Sequence, residues 1–271
     1  MSRCLAFCSL CLAILSAPMV ATLRADNLRP HDRVVFLGDS ITEAGVHPGG
    51  YITLLAERVR EVLPNSRIEL LGAGISGNKV PDLLARLTRD VLDKKPTLVV
   101  VYIGINDVWH SERGEGTPRD KYQQGLTQLI KEIQKSGARV VLATPSVIGE
   151  KSDGTNPLDA MLDDYAQISR DVAKTLKIPL IDLRAAFLSH LRAENPRQRQ
   201  EGILTTDGVH LNAAGNRFVA DQILAHWGIE DPTPSRLRHV VLFQFHDSAT
   251  PADIEEVVLA FRNFPTKIDS V

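Results

Sequence analysis

The sequence predicts an α/β protein: a three-layer α/β/α sandwich built on a five-stranded parallel sheet. Three observations carry this. Five short apolar runs rich in branched residues recur along the 271 residues. Amphipathic stretches of helical length separate them in strict alternation, the pattern of a parallel sheet covered on both faces. Finally, Ser40, Gly77, Asn106 and the Thr144-Pro145-Ser146 segment all lie in loops that leave the carboxyl ends of these runs. In parallel sheets, functional groups gather on the loops leaving the carboxyl ends of strands.

The predicted strands are Arg33–Leu37, Arg67–Leu71, Thr97–Ile103, Arg139–Ala143 and Ile178–Leu183. Predicted helices lie near Tyr51–Leu63, Pro81–Leu92, Pro118–Lys135, Leu158–Thr175, Arg184–Glu194 and Asn212–Trp227. Thr117-Pro118-Arg119-Asp120 places a capping hydroxyl, a proline suited to the first helical position and an acid in the first turn. Leu83, Leu84, Leu87 and Leu92 fall at helical spacing and read as core.

Both ends of the chain stand apart from this domain, expected over residues 26–230. Arg3 precedes an apolar run, Cys4 to Leu23, that ends at Arg24-Ala25. A positive start, an apolar stretch and a small residue before polar sequence read as a secretory signal, residues 1–25, cleaved after Ala25 or after Ala21. An uncleaved anchor is the other reading of the same run. A signal implies a secreted or periplasmic protein with no stable membrane insertion after cleavage. Cys4, Cys8 and Cys11 all lie in this segment, so the mature chain has no disulfide framework, no thiol nucleophile and no cysteine metal site. At the other end, residues 231–238 contain Asp231-Pro232-Thr233-Pro234-Ser235, a stiff linker. An apolar strand, His239–Phe245, and a helix capped at Thr250-Pro251-Ala252-Asp253 and running to about Phe264 complete residues 239–271. A two-faced apolar strand of this kind is a surface for self-association.

A net charge of −2 with scattered basic residues points away from nucleic acid. The histidines are dispersed without ligand spacing, so no metal and no cofactor is implied. The chemistry lies instead in four blocks. Gly38-Asp39-Ser40 puts a hydroxyl at the end of an apolar strand. Gly72-Ala73-Gly74-Ile75-Ser76-Gly77-Asn78 is a glycine-rich turn whose backbone N–H groups can approach a bound oxygen. Gly104-Ile105-Asn106-Asp107 ends a strand with a side-chain amide, and Asp207-Gly208-Val209-His210 offers an acid and a base. A serine becomes a nucleophile near neutral pH when a base takes its proton and an acid orients that base.

In type and order these blocks resemble the SGNH (GDSL) hydrolase family over about residues 32–227. The resemblance implies a flavodoxin-like sheet and an ester hydrolase working through an acyl-serine. Ser40 would be the nucleophile, His210 the base and Asp207 its orienting acid. The N–H groups of Ser40 and Gly77 and the Asn106 amide would form the oxyanion hole. Gly77 is the glycine that fits the family's Ile-Ser-Gly block; Asn78 stands where an aspartate is frequent. Asp39, Trp109 and His110 are expected to contact substrate. That substrate would be a small-molecule or polysaccharide ester with a short acyl group, an O-acetylated carbohydrate among them. A lysophospholipase or thioesterase is the enzymatic alternative, and a non-catalytic carbohydrate-binding module on the same fold is the alternative of another class. The C-terminal piece resembles the opening strand and helix of the stress-responsive A/B barrel family.

Three patterns compete with this reading. Gly72-x-Gly74-x-x-Gly77 matches a dinucleotide fingerprint, but it follows the second strand rather than the first. Asp107-Val108-Trp109-His110 is a second Asp-x-x-His, which spacing alone leaves open as the acid–base pair. Gly38-Asp39-Ser40 alone would also suit a strand-to-helix turn with Ser40 as the cap.

Overall fold

In the computed structural model, which describes residues 28–229 and 249–262, five parallel strands pair in the order β2–β1–β3–β4–β5. They are β1 (Arg33–Gly38), β2 (Glu69–Gly74), β3 (Leu98–Tyr102), β4 (Arg139–Ala143) and β5 (Leu180–Ile181). Nine helices accompany them among the described residues: α1 (Ser40–Ala44), α2 (Tyr51–Val62), α3 (Val80–Asp90), α4 (Ile105–Trp109), α5 (Arg119–Lys135), α6 (Asp159–Leu176), α7 (Leu183–Glu194), α8 (Ala213–His226) and α9 (Pro251–Arg262). The α/β class, the parallel sheet and the strand count are those the alternation predicts.

The chain crosses from β1 out to β2, then back over β1 to β3 and onward. Right-handed crossovers therefore put the returning helices on the opposite face from the first. The contacts agree: α2 packs with α8, and α7 with α8, while α3, α5 and α6 pack in series. Every residue of β3 is buried, as are Val34 to Gly38 of β1, the signature of strands covered on both sides. The chain leaves β1 toward β2 and β3 toward β4, so the strand order reverses between β1 and β3, the place where parallel sheets of this kind bind ligands.

Several boundaries differ from the sequence reading for local reasons. Arg67 has a left-handed backbone, φ 52°, so β2 begins later and takes in Gly72, Ala73 and Gly74, which pair with Phe36, Leu37 and Gly38. Three of the seven residues of the expected glycine-rich turn, Gly72 to Gly74, are thus strand. A Cβ on Gly74 would lie 2.0 Å from the Glu43 nitrogen, so glycine there lets α1 lie against the sheet. The fifth strand shrinks to two residues because Lys177 is left-handed, φ 52°, and Asp182 already caps α7. Pro118, with ψ 143°, is the residue before α5 rather than its first, and no side-chain hydrogen bond caps that end. Helices α1 and α4 follow β1 and β3 almost at once.

The described residues belong to two units, 28–229 in one and 249–262 in the other. In the second, Thr250 and Asp253 form a reciprocal cap, Thr250 N–H donating to Asp253 Oδ2 at 2.8 Å and Asp253 N–H to Thr250 Oγ1 at 3.3 Å. The expected signal of residues 1–25, the expected linker and the expected strand His239–Phe245, with its self-association, lie outside the described residues. Among the described residues no helix is long and apolar enough to cross a membrane.

Candidate active site

Ser40 is the first residue of α1, at the carboxyl end of β1. Its Oγ lies 2.9 Å from His210 Nε2, and His210 Nδ1 lies 2.7 Å from Asp207 Oδ2. With the hydroxyl donating to Nε2, the imidazole proton resides on Nδ1 and donates to Asp207. The other carboxylate oxygen, Oδ1, accepts from the Val209 and His210 N–H groups at 3.0 and 2.7 Å. The four-residue turn therefore orients its own acid. Burial raises the Asp207 pKa, but hydrogen bonds from the His210 ring and from these two backbone N–H groups outweigh it and hold the carboxyl below its ordinary value. The Asp207 and His210 side chains are 47% and 38% exposed, so water reaches the base.

Two groups expected to be oxyanion donors, the Gly77 N–H and the Asn106 amide, follow β2 and β3. Gly77 sits in the turn after β2 with φ 77°, a conformation that glycine adopts without steric cost. Asn106, buried in the first turn of α4, donates from Nδ2 to the Asn78 carbonyl at 3.1 Å. An amide nitrogen carries two hydrogens, so this bond fixes the side chain and leaves a second donor direction. The same bond couples the Asn106 amide to the Gly77–Asn78 turn.

The competing Asp-x-x-His does not form a pair of this kind. Asp107 is fully buried and its Oδ1 accepts from the Val80 N–H at 3.1 Å, at the start of α3. Burial pushes its pKa up to about 6 against the pull of that N–H. His110 lies elsewhere, with its Cε1 4.0 Å from where a Cβ on Gly77 would stand. Its pKa is lowered by burial and by the nearby charges of Arg113 and Lys79.

Asp39 requires a correction. Expected to contact substrate, it is 2% exposed and caps α1, its Oδ1 accepting from the Ile41 N–H at 3.0 Å. It, not Ser40, is the cap, which leaves the Ser40 side chain to face His210. Burial pushes the Asp39 pKa up to about 7, and the Asp107 charge adds to the effect while the Ile41 N–H opposes it. Trp109 does border the site: its ring meets His210 edge-on, centroids 6.1 Å apart, and lies 6.2 Å from His110. Trp109 and His110, with Glu112 and Arg113, line a cavity of about 310 Å³.

Arg86 was not singled out from the sequence. It is 7% exposed, and it donates from Nη2 to the Gly38 carbonyl at 2.8 Å and from Nε to Asn78 Oδ1 at 2.7 Å. Its place was detectable as an arginine on the buried stripe of α3, between Leu83 and Leu87. Among the described residues no three His, Cys, Asp or Glu side chains gather as a metal-ligand set.

A serine bonded to an imidazole that is bonded to a carboxylate, at the carboxyl edge of a parallel sheet, defines the class of serine-dependent acyl hydrolases. The chain belongs to the GDSL-like lipase/acylhydrolase family, whose model matches residues 36–218. It is 31% identical to an acetylxylan esterase of Geobacillus stearothermophilus, over 73% of this chain and 95% of that protein. The crystal structure of the acetyl xylan esterase AlAXEase superposes with a TM-score of 0.70 at 46% identity, covering 71% of this chain and 98% of the other. An isoamyl acetate-hydrolyzing esterase 1 homolog of Rattus norvegicus is 27% identical over 69% of this chain and 78% of its own length. The protein is a hydrolase acting on ester bonds.

Proposed function

We propose that this protein is an exported esterase that removes short acyl groups, acetyl foremost, from carbohydrates. The observation that carries the catalytic half of the reading is the pair of hydrogen bonds linking Ser40 to His210 and His210 to Asp207, 2.9 and 2.7 Å long. As His210 Nε2 takes its proton, Ser40 Oγ attacks the ester carbonyl. Charge on the resulting oxyanion is met by the Ser40 and Gly77 N–H groups and by the Asn106 amide. Collapse breaks the bond to the leaving alcohol, which receives the proton from His210 and departs. The acyl group then stays on Ser40 until a water, deprotonated by His210, attacks it and a carboxylic acid is released. Asp207 keeps the Nδ1–H directed at itself throughout, so Nε2 faces the serine.

The carbohydrate half rests on two supports. The relatives named above include acetylxylan esterases. Trp109, whose ring meets His210 edge-on, also lines a cavity with His110, Glu112 and Arg113, which joins an aromatic face to hydrogen-bonding side chains. That combination suits a sugar, whose C–H face packs on a ring while its hydroxyls bond to polar groups. Export is read from the apolar segment that follows Arg3.

Turnover of p-nitrophenyl esters from acetyl to decanoyl, alongside acetate release from acetylated xylan, tests this reading. Activity is expected to peak at acetyl and to extend to the polysaccharide. A peak at decanoyl, or no labelling of Ser40 by a fluorophosphonate, would refute it.

A further inference from the structure

The segment that carries Asp207 and His210 belongs to no named strand or helix. It runs between α7 and α8, held locally by an isolated bridge from Thr205 to Leu211 and by the Thr206 N–H donating to the His210 carbonyl at 2.8 Å. Ser40, by contrast, is fixed by β1. Something outside the sheet must therefore set the distance between base and nucleophile.

Glu150, in the loop after β4, is fully buried. Its Oε1 accepts from the Leu204 N–H at 2.6 Å, the Thr205 N–H at 2.6 Å and the Thr205 hydroxyl at 2.9 Å. Its Oε2 accepts from the Ile203 N–H at 2.7 Å. The Thr205 hydroxyl, its hydrogen given to Glu150, accepts from the Gly208 N–H at 3.1 Å. Two backbone bonds fasten the same surfaces together: Gly149 N–H to the Gly208 carbonyl at 2.7 Å and Glu150 N–H to the Gln200 carbonyl at 2.9 Å. Gly149 and Gly208 both have positive φ, 88° and 87°. A Cβ on Gly208 would stand 3.3 Å from the Gly149 Cα, so bare backbone lies against bare backbone there. On the far side, the buried Asn195 donates from Nδ2 to the Glu150 carbonyl at 2.8 Å.

We propose that Glu150 is a positioning residue for the reaction: through Thr205 and Gly208 it sets the place of the Asp207–His210 turn against Ser40. The inference rests on the catalytic reading above. The acid is chemically specific, because four donors converge on it and a carboxylate supplies only acceptors. An amide in its place would turn an NH₂ toward at least one of those N–H groups and leave a buried donor unpaired. Glu150 touches neither the serine nor the imidazole. Its effect passes through geometry, where a misplacement of about 1 Å costs ~10²-fold in rate.

The test uses the full-length protein and p-nitrophenyl acetate. Glu150→Gln and Thr205→Val are each expected to lower kcat by about 10- to 100-fold, with KM held within about twofold. The downfield proton resonance of the His210 Nδ1–H is expected to shift or broaden in both. Thr205→Ser, which keeps the hydroxyl, is expected to recover most of what Thr205→Val loses. Should Glu150→Gln fail to fold, the Thr205 pair decides alone. A folded Glu150→Gln or Thr205→Val with unchanged kcat and an unchanged resonance, whatever its melting temperature, overturns the proposal. His210→Ala separates the two readings. If it is inactive while Glu150→Gln is fully active, only the role of Glu150 falls; if it retains turnover, the catalytic reading falls and takes this inference with it.

Discussion

The Arg86 guanidinium donates to the Gly38 carbonyl at 2.8 Å, so α3 grips the end of the strand from which Ser40 emerges. Through Nε at 2.7 Å it also holds Asn78, whose carbonyl anchors the Asn106 amide. The Ser40-bearing strand end and the turn that holds the Asn106 amide are thus tied together by one buried cation. Arg86→Ala leaves the buried Gly38 carbonyl and the half-buried Asn78 side chain without their donor, and an unsatisfied buried acceptor costs about 1–3 kcal/mol. The expected outcome is reduced stability in urea and a lowered kcat in the protein that remains folded. Arg86→Lys is expected to rescue stability in part but not kcat, since an ammonium lacks the planar fork that spans two acceptors. Equal rescue of both would show that charge alone matters.

Ser40→Ala, His210→Ala and Asp207→Asn are expected to remove most turnover, Asp207→Asn by on the order of 10³–10⁴ in kcat because the imidazole loses its orienting acceptor. His110→Ala, by the geometry of its neighbours, is expected to keep the chemical step and to alter KM for a carbohydrate ester. Steady-state kinetics on the four variants checks this. An active His210→Ala beside an inactive His110→Ala would reverse the assignment of the base.

Where local pattern set the structure, the sequence was legible. The apolar runs and their spacing specify β1, β3, β4 and the long helices, and a strand end followed by Gly-Asp-Ser places the serine. Short elements escaped: α1 and α4 are five residues each, too brief for a helical period to register. The role of Asp39 escaped too, because an acid beside a reactive serine looks like a contact residue until its burial is known. Arg86 and Glu150 were the least legible. Their partners lie 48 and 55 residues away, at Gly38 and Thr205, and no periodicity or motif in one chain encodes a pairing made only by the closed fold.

The Asn106 amide, held against the Asn78 carbonyl at 3.1 Å, is the proposed side-chain donor to the oxyanion. Asn106→Ala is expected to lower kcat by about 10² or more with little change in KM, as the lost bond matters mainly in the transition state. Asn106→Asp keeps the shape but presents an acceptor to a developing negative charge, and is expected to be no better than alanine. A variant that altered KM alone would assign Asn106 to ground-state binding.

The buried Asp39 carboxyl makes stability depend on pH in a direction that can be stated in advance. Folded, Asp39 holds its proton up to about pH 7; unfolded, it loses it near the ordinary 3.8. Between those values the folded state binds more protons than the unfolded one, so stability falls as pH rises across the window. Below the lower value the stabilisation is complete, and it is lost as pH passes through the upper one. Asp107, pushed up to about 6, adds to the same slope. Asn at position 39 keeps the helix cap and cannot ionise, so Asp39→Asn is expected to flatten the decline, recovering roughly 2–4 kcal/mol at pH 8 relative to wild type. Urea unfolding of both proteins at pH 5 and pH 8 measures this. Parallel losses in the two would mean that Asp39 is already ionised in the folded protein across this range and that the slope has another source.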